Sequence, residues 1–161
     1  MLCAATDLAQ AREVAVVGAS GNGSSLTTVS YPAACPGVIA VGASAADDTR
    51  AAFSNAGERL DLVAPGVGIF STLWTSDTAY GLYGGHGNGT SFAAPHVAGA
   101  VALIRSLRPD YGQAETRDLL LRTVDDVGKP GFDTLTGWGR LNVARAVKQA
   151  AARSYLPVVT R

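Results

Sequence analysis

One serine of this sequence stands where a protein can turn a hydroxyl group into a nucleophile. Ser91 follows a turn rich in glycine, at Gly85, Gly87 and Gly89, and precedes an apolar run over residues 92–107. Glycine accepts positive φ and leaves space for a neighbouring chain, and the apolar run predicts a buried helix rather than an amphipathic one. Unpaired N–H groups at the start of that helix favour an alkoxide or an oxyanion. The pattern predicts that Ser91 is a catalytic nucleophile.

An asparagine turn offers a second group for the same chemistry. Residues 13–18 predict a short buried strand that runs into the turn Ala-Ser-Gly-Asn-Gly at residues 19–23, and such a junction is an active-site edge in many α/β proteins. The side-chain amide of Asn22 could donate to the negative oxygen that forms when a nucleophile attacks a carbonyl. Each motif also has an ordinary interpretation when taken alone: Gly-Thr-Ser as a helix N-cap, and Asn-Gly as a turn.

The longer string around Ser91 resembles the nucleophile motif of the subtilisin-like serine proteases. In that family Gly-Thr-Ser is followed by an apolar residue, Ala, a small residue, Pro-His and Val-Ala-Gly, and these occupy residues 89–99 here, with Phe92 where Met is commoner. The resemblance implies an endopeptidase that acts through an acyl-enzyme at Ser91, with Asn22 in the oxyanion hole. It also implies that three residues contact a polypeptide substrate: Gly21, Gly89 and Thr90.

The elements that would hold these residues are short apolar strands and helices. The runs at residues 38–43 and 60–64 are rich in β-branched residues and bounded by Gly or Pro, as buried parallel strands are. Further helices are predicted over about residues 113–123 and 143–151. The resemblance covers about residues 14–151 and implies an α/β fold, namely the C-terminal part of a subtilisin-like three-layer fold with a mostly parallel sheet flanked by helices. Residues 1–151 would form a partial catalytic domain and residues 152–161 a C-terminal tail.

The sequence contains no general base for Ser91 in the order that the family uses. Acyl transfer by serine needs a base and a group that orients it, and in subtilisin the order along the chain is Asp, His, Ser. No histidine precedes Asn22. His96 points about 140° away from Ser91 on the helix and matches a structural histidine of the family. His86 is expected to be a loop or substrate-side residue. Asp61 is expected to be a structural residue. The chain alone is therefore predicted to have no useful protease activity.

The resemblance extends to the two cysteines of the chain. Cys3 and Cys35 correspond to a pair that some secreted bacterial members of the family join in a disulfide, and the alternative is two unpaired thiols. A bridge would close a loop of about thirty residues and stabilise the fold by roughly 3 to 4 kcal/mol in the chain-entropy model. No acidic run has a metal-ligand spacing, so neither a metal site nor a cofactor is predicted, although calcium is conceivable in an intact family member.

The length and composition of the chain limit the classes of partner that it could bind. A length of 161 residues, 47% of them hydrophobic, predicts one domain with a real core. Thirteen basic and thirteen acidic residues balance without a basic cluster, so no nucleic acid is expected. No apolar run is long enough to span a membrane, and residues 1–12 do not form a signal peptide. The resemblance implies an extracellular parent protein, and hence a chain without its natural N-terminus.

Two functions of different classes stay open. The first is the C-terminal half of a subtilisin-like serine endopeptidase from a truncated, split or mis-started reading frame, whose missing N-terminal half would be a partner and supply the Asp and His. The second is a non-catalytic binding or scaffolding module that kept the fold, although retention of Ser91 and Asn22 argues against it. The related serine-carboxyl peptidases have an aspartate at the oxyanion position and lack the Pro-His continuation, so Asn22 and His96 favour the subtilisin type.

Overall fold

Most strands form at short runs that contain β-branched residues, and the helices form at alanine-rich and leucine-rich runs. The computed structural model describes residues 2–152, and the side chains of residues 73–75 and 79–86 lie outside that description. In chain order the elements are α1 (Leu2–Gln10), β1 (Val17–Ala19), β2 (Ile39–Ser44), β3 (Leu62–Pro65), β4 (Ile69–Ser76), β5 (Ala79–Gly87), α2 (Thr90–Leu107), α3 (Gln113–Arg122) and α4 (Val143–Ala152). The predicted C-terminal tail falls, beyond Ala152, outside the described residues.

β1, β2 and β3 form a parallel three-stranded sheet in that spatial order. Val17 pairs with Ile39, and Val41 pairs with Leu62. Every residue of β2 is buried, as expected for a central strand with both faces covered. The predicted α/β fold with a mostly parallel sheet flanked by helices is confirmed. β1 begins later than predicted because the chain leaves α1 through a turn at Glu13, whose φ is 57°.

Alternate residues of the sheet point into two separate cores, as the period of a strand requires. On one face Ile39, Val41 and Leu62 belong to the core that includes buried residues of α2, α3 and α4. On the other face Ala40 and Val63 pack against residues outside the helices, namely Val29, Ala33 and Leu60. α2 packs against all three strands of the parallel sheet, so the sheet supports the helix that carries Ser91.

The sequence predicts a buried helix, and within residues 2–152 α2 is buried on one face only. One face of the helix is buried in the core, through residues such as Ala93, Val97 and Ile104. Residues 98, 99, 102 and 103, which are Ala, Gly, Ala and Leu, are exposed, and a Cβ added at Gly99 would meet no atom within 4 Å. A run of small apolar residues has no polar stripe, so its periodicity cannot reveal which face the rest of the chain covers.

β4 and β5 form an antiparallel pair that the sequence analysis did not predict. Gly85 and Gly87, which were assigned to a turn, lie inside β5. A Cβ at Gly87 would lie 2.8 Å from Cε1 of Phe92 and 2.7 Å from the carbonyl oxygen of Ile69. Close packing, and not positive φ, therefore requires glycine at position 87.

Asp61 is structural, as predicted. It lies just before β3, where one carboxylate oxygen accepts a 2.8 Å hydrogen bond from the Ala40 N–H and the other pairs with Arg117. Burial raises the pKa of the Asp61 carboxyl above its ordinary value, although Arg117 and the Ala40 N–H oppose that shift. The pair ties β3 to α3 at the amino end of the strand, which is the edge of the sheet remote from Ser91.

A disulfide joins Cys3 to Cys35, which have 5.4 Å between their Cα atoms and a sequence separation of 32. It fastens α1 to the loop that enters β2. Gln10 supports the same junction by donating from Nε2 to the Pro36 carbonyl at 2.9 Å. α1 has few buried residues of its own, so the covalent bond is its main attachment.

The disulfide predicts a simple thiol count. Denatured protein that has not been reduced is expected to give no reaction with a thiol reagent, and reduced protein is expected to give two thiols. Reduction should also lower the free energy of unfolding by roughly 3 to 4 kcal/mol, because it releases the loop-closure constraint on the unfolded chain. Equal thiol counts before and after reduction would contradict the bridge.

Within the described part of the chain, no helix is both long and apolar enough to cross a membrane.

Candidate active site

The sequence-predicted site residues meet at the carboxyl edge of the parallel sheet. Asn22 lies in the loop that follows β1, and Gly66 follows β3 directly. The Gly66 carbonyl accepts a 2.9 Å hydrogen bond from the N–H of Gly89, the residue before α2. This edge, beyond the carboxyl ends of the strands, is where open α/β sheets place their ligand sites.

Ser91 is the second residue of α2, and it is exposed. The N-cap of the helix is Gly89, and no side chain caps it by a hydrogen bond within the motif. Neither Thr90 nor Ser91 is therefore the N-cap that an isolated Gly-Thr-Ser would suggest. The first turn contains no acidic residue, so no carboxylate of the helix offsets the partial positive charge of the helix N-terminus beside the Ser91 hydroxyl.

Asn22 is held in one orientation by the first residue of α2. Its Oδ1 accepts hydrogen bonds from the N–H and from the hydroxyl of Thr90, each at 2.9 Å. A backbone N–H can only donate, so the amide oxygen must face Thr90 and the amide nitrogen must face away. A Cβ built on Gly89 would lie 3.0 Å from Ser91 Oγ and 3.3 Å from Asn22 Nδ2. The Ser91 hydroxyl and the Asn22 amide nitrogen thus border one small space, which glycine leaves open.

Thr90 links the two segments of the site. Its side chain is 1% exposed, and its hydroxyl donates to Asn22 and accepts a 3.2 Å hydrogen bond from the Gly21 N–H. The polar groups of Thr90 and Gly21 that could reach a substrate are thus engaged inside the site. Their substrate contact stays a prediction, as does that of Gly89, whereas their support of Asn22 follows from these bonds.

Gly21 must be glycine for two reasons. Its φ of 105° lies in a region that other residues rarely adopt. A Cβ there would also lie 2.4 Å from Ser30 Oγ and 2.4 Å from Asn55 Nδ2. Asn55 lies 33 positions after Asn22, in the run Phe-Ser-Asn-Ala-Gly at residues 53–57, and the sequence alone assigns it no role. Only the fold brings it beneath this loop.

Comparison with known proteins decides the family. The model of the subtilase family matches residues 2–139. The chain belongs to the subtilase family. The sequence is 46% identical over 134 residues to Subtilisin E of Bacillus subtilis (strain 168), a match that covers 83% of this chain and 33% of that relative. It is equally identical, over the same length, to a subtilisin of Bacillus pumilus, of which the match covers 46%.

Solved structures agree with this family assignment. A protease of Pseudoalteromonas arctica PAMC 21717 superposes with a TM-score of 0.82 at 32% identity, covering 92% of this chain and 46% of that one. A lanthipeptide protease gives a TM-score of 0.79 at 26% identity, covering 92% of this chain and 54% of that one. The chain thus spans between a third and about half of the length of these relatives.

Among the side chains that the structure describes, none is placed beside Ser91 to act as a general base. His96 Nδ1 donates to the Phe92 carbonyl one helical turn earlier, at 2.9 Å, so its ring is directed along the helix surface. His86 belongs to β5, and its side chain lies outside the described residues. Asp61 pairs with Arg117 at the other edge of the sheet.

In the described part of the chain, no three His, Cys, Asp or Glu side chains lie close enough together to hold a metal ion.

Proposed function

We propose that this chain supplies the nucleophile and the oxyanion-binding groups of a subtilase-type serine endopeptidase. The observation that carries the proposal is the space at Gly89, which Ser91 Oγ and Asn22 Nδ2 both border. A tetrahedral intermediate needs a nucleophile on its carbon atom and fixed donors on its oxygen. Membership of a protease family implies that the substrate is a polypeptide.

The reaction would begin with attack by Ser91 Oγ on the carbonyl carbon of a peptide bond. A general base takes the hydroxyl proton as the new C–O bond forms, and the electron pair of the carbonyl moves onto its oxygen. Asn22 Nδ2 and the Ser91 backbone N–H donate to that oxygen. Collapse of the intermediate expels the amine, which receives the proton from the base, and leaves an ester on Ser91 that water then hydrolyses.

The base and its orienting carboxylate would come from the part of the catalytic domain that precedes the matched region in the relatives. Subtilisin orders its triad as Asp, His, Ser, and the match to Subtilisin E covers 33% of that relative. We assign the exposed apolar residues of α2, at positions 98, 99, 102 and 103, as the outer face on which this upstream part packs. Such a contiguous apolar surface is typical of an interaction site.

A complementation experiment tests this function. Mixing the chain with the upstream part of the Subtilisin E catalytic domain is expected to make Ser91 react with a fluorophosphonate probe, detected as an adduct by intact mass and absent in Ser91→Ala. Ala102→Trp should reduce the apparent affinity for the upstream part about tenfold or more, equivalent to 1.4 kcal/mol, because the indole projects from the outer face. Ala144→Trp is the matched control, since Ala144 is an exposed alanine of α4.

The outcomes separate the candidate functions. Equal loss of affinity in the two tryptophan variants would remove the outer face of α2 from the proposal. Binding of the upstream part without any labelling of Ser91 would favour the second function, a non-catalytic binding or scaffolding module with a subtilase fold.

An extracellular parent protein fits the same proposal. Disulfides persist in oxidising compartments, and the Cys3–Cys35 bridge would survive there. The subtilisins that resemble this chain come from Bacillus species, which supports an exported bacterial protease as the parent.

A further inference from the structure

We propose that Asn55 is a positioning residue that fixes the oxyanion loop, defined here as residues 20–25, and so holds Asn22 where Thr90 can orient its amide. The proposal rests on the function proposed above, because the loop matters for catalysis only if Asn22 binds an oxyanion. Asn55 lies between β2 and β3 and is 7% exposed, whereas Asn22 is exposed. The buried asparagine is thus placed to act through the exposed one.

The side chain of Asn55 binds the backbone on the C-terminal side of Asn22. Its Oδ1 accepts hydrogen bonds from the Gly23 N–H at 2.9 Å and from the Ser25 N–H at 3.0 Å. Its Nδ2 donates to Ser30 Oγ at 3.2 Å, at the far end of the same connection. One buried amide therefore satisfies two backbone donors that the loop itself cannot pair.

The backbone of Asn55 binds the loop on the N-terminal side of Asn22. The Asn55 N–H donates to the Gly21 carbonyl at 2.8 Å, and the Ser20 hydroxyl donates to the Asn55 carbonyl at 2.9 Å. Asn22 is thus held between contacts to Asn55 on both of its flanks. These hydrogen bonds restrict the backbone conformations that the oxyanion loop could otherwise adopt.

Asn55 is itself anchored to the central strand of the sheet. The Ser54 hydroxyl accepts a 2.9 Å hydrogen bond from the Ala43 N–H in β2, and the Ala51 N–H donates to the Ala43 carbonyl at 2.9 Å. The segment around Asn55 therefore connects the oxyanion loop to β2 through hydrogen bonds. Asn22 receives its second constraint from Thr90 on α2, so the amide is fixed from two independent elements.

Nuclear magnetic resonance of the ¹⁵N-labelled chain tests the proposal without any need for catalysis. In Asn55→Ala the Asn22 side-chain amide signals and the Thr90 amide signal are expected to move. The Gly23 and Ser25 amides should exchange with solvent about tenfold faster, since each loses a buried hydrogen-bond acceptor. Asn55→Asp keeps an acceptor for both amides and for the Ser30 hydroxyl, so it is expected to restore the wild-type signals.

Asn142→Ala is the matched control for a purely structural effect. Asn142 also accepts a backbone N–H, from Arg145, and donates to Asp125, but it lies at the start of α4. Its loss should leave the Asn22 and Thr90 signals in place. Unmoved signals in Asn55→Ala, or equal movement in Asn142→Ala, would overturn the proposal. If Asn55→Ala does not fold, unmoved signals in Asn55→Ser overturn it as well. Failure of Ser91 labelling in the complementation experiment would instead count against the proposed function alone.

Discussion

The 161-residue chain by itself is expected to hydrolyse a peptide substrate about a millionfold more slowly than an intact subtilase does. This factor is the loss in turnover of subtilisin variants that lack the catalytic serine or histidine. The physical reason is that the Ser91 hydroxyl is a weak nucleophile while it keeps its proton. His96 donates to the Phe92 carbonyl, and Asp61 pairs with Arg117, so neither is placed to take that proton.

The measurement is the rate of hydrolysis of a chromogenic peptide, with Ser91→Ala as the background control. The residual rate of the wild-type chain should exceed that of Ser91→Ala only slightly. A wild-type rate within about a hundredfold of an intact subtilase, lost in Ser91→Ala, would show that a base acts within this chain. His86→Ala would then identify whether that base lies in β5.

Gly139→Ala is expected to lower the free energy of unfolding by roughly 3 kcal/mol or more. A Cβ at this position would lie 2.2 Å from the carbonyl oxygen of Asp125, and the φ of Gly139 is 134°. The obstacle is backbone that cannot move freely, because Asp125 and Arg140 exchange two hydrogen bonds of 2.8 Å. The Gly139 carbonyl also accepts the N–H of Val63 in β3 at 2.9 Å, so any shift reaches the sheet.

Gly131→Ala provides a matched control for Gly139→Ala. Gly131 has a φ of 79°, but a Cβ there would meet no atom within 4 Å. Its substitution should therefore cost only the backbone strain of a left-handed residue, about 1 to 2 kcal/mol. Urea unfolding of both variants gives the comparison. If Gly139→Ala destabilises the chain no more than Gly131→Ala, close packing against Asp125 is not what requires glycine at 139.

The sequence allowed the family, the sheet and the positions of Ser91 and Asn22 to be predicted, because glycine turns and apolar runs are local features. The partner of Asn22 could not be predicted in this way. Thr90 stands 68 positions away, and its role depends on how the loop after β1 meets the start of α2. The role of Asn55 could not be predicted for the same reason, since its contacts with Gly23 and Ser25 exist only in the folded chain.

β5 and the exposed face of α2 are the two parts of the fold that the sequence did not predict. The glycine-rich stretch of β5 predicts a turn because glycine accepts positive φ, yet Gly87 is needed where Phe92 packs closely. In α2 the run of alanine, valine and leucine hid the fact that residues 98, 99, 102 and 103 are exposed. In both places composition indicated the wrong surroundings because tertiary packing overrides local preference.

The bond between Asn22 and Thr90 also orders events during folding. The N–H that orients the amide of Asn22 is free to do so only because it is one of the first N–H groups of α2, which have no partner inside the helix. Before α2 forms and docks on the sheet, nothing in this bond distinguishes the two ends of the amide. The ability to stabilise a negative oxygen should therefore arise only once α2 has docked against the loop after β1, so that a chain folded short of this contact carries a serine without an oriented donor beside it.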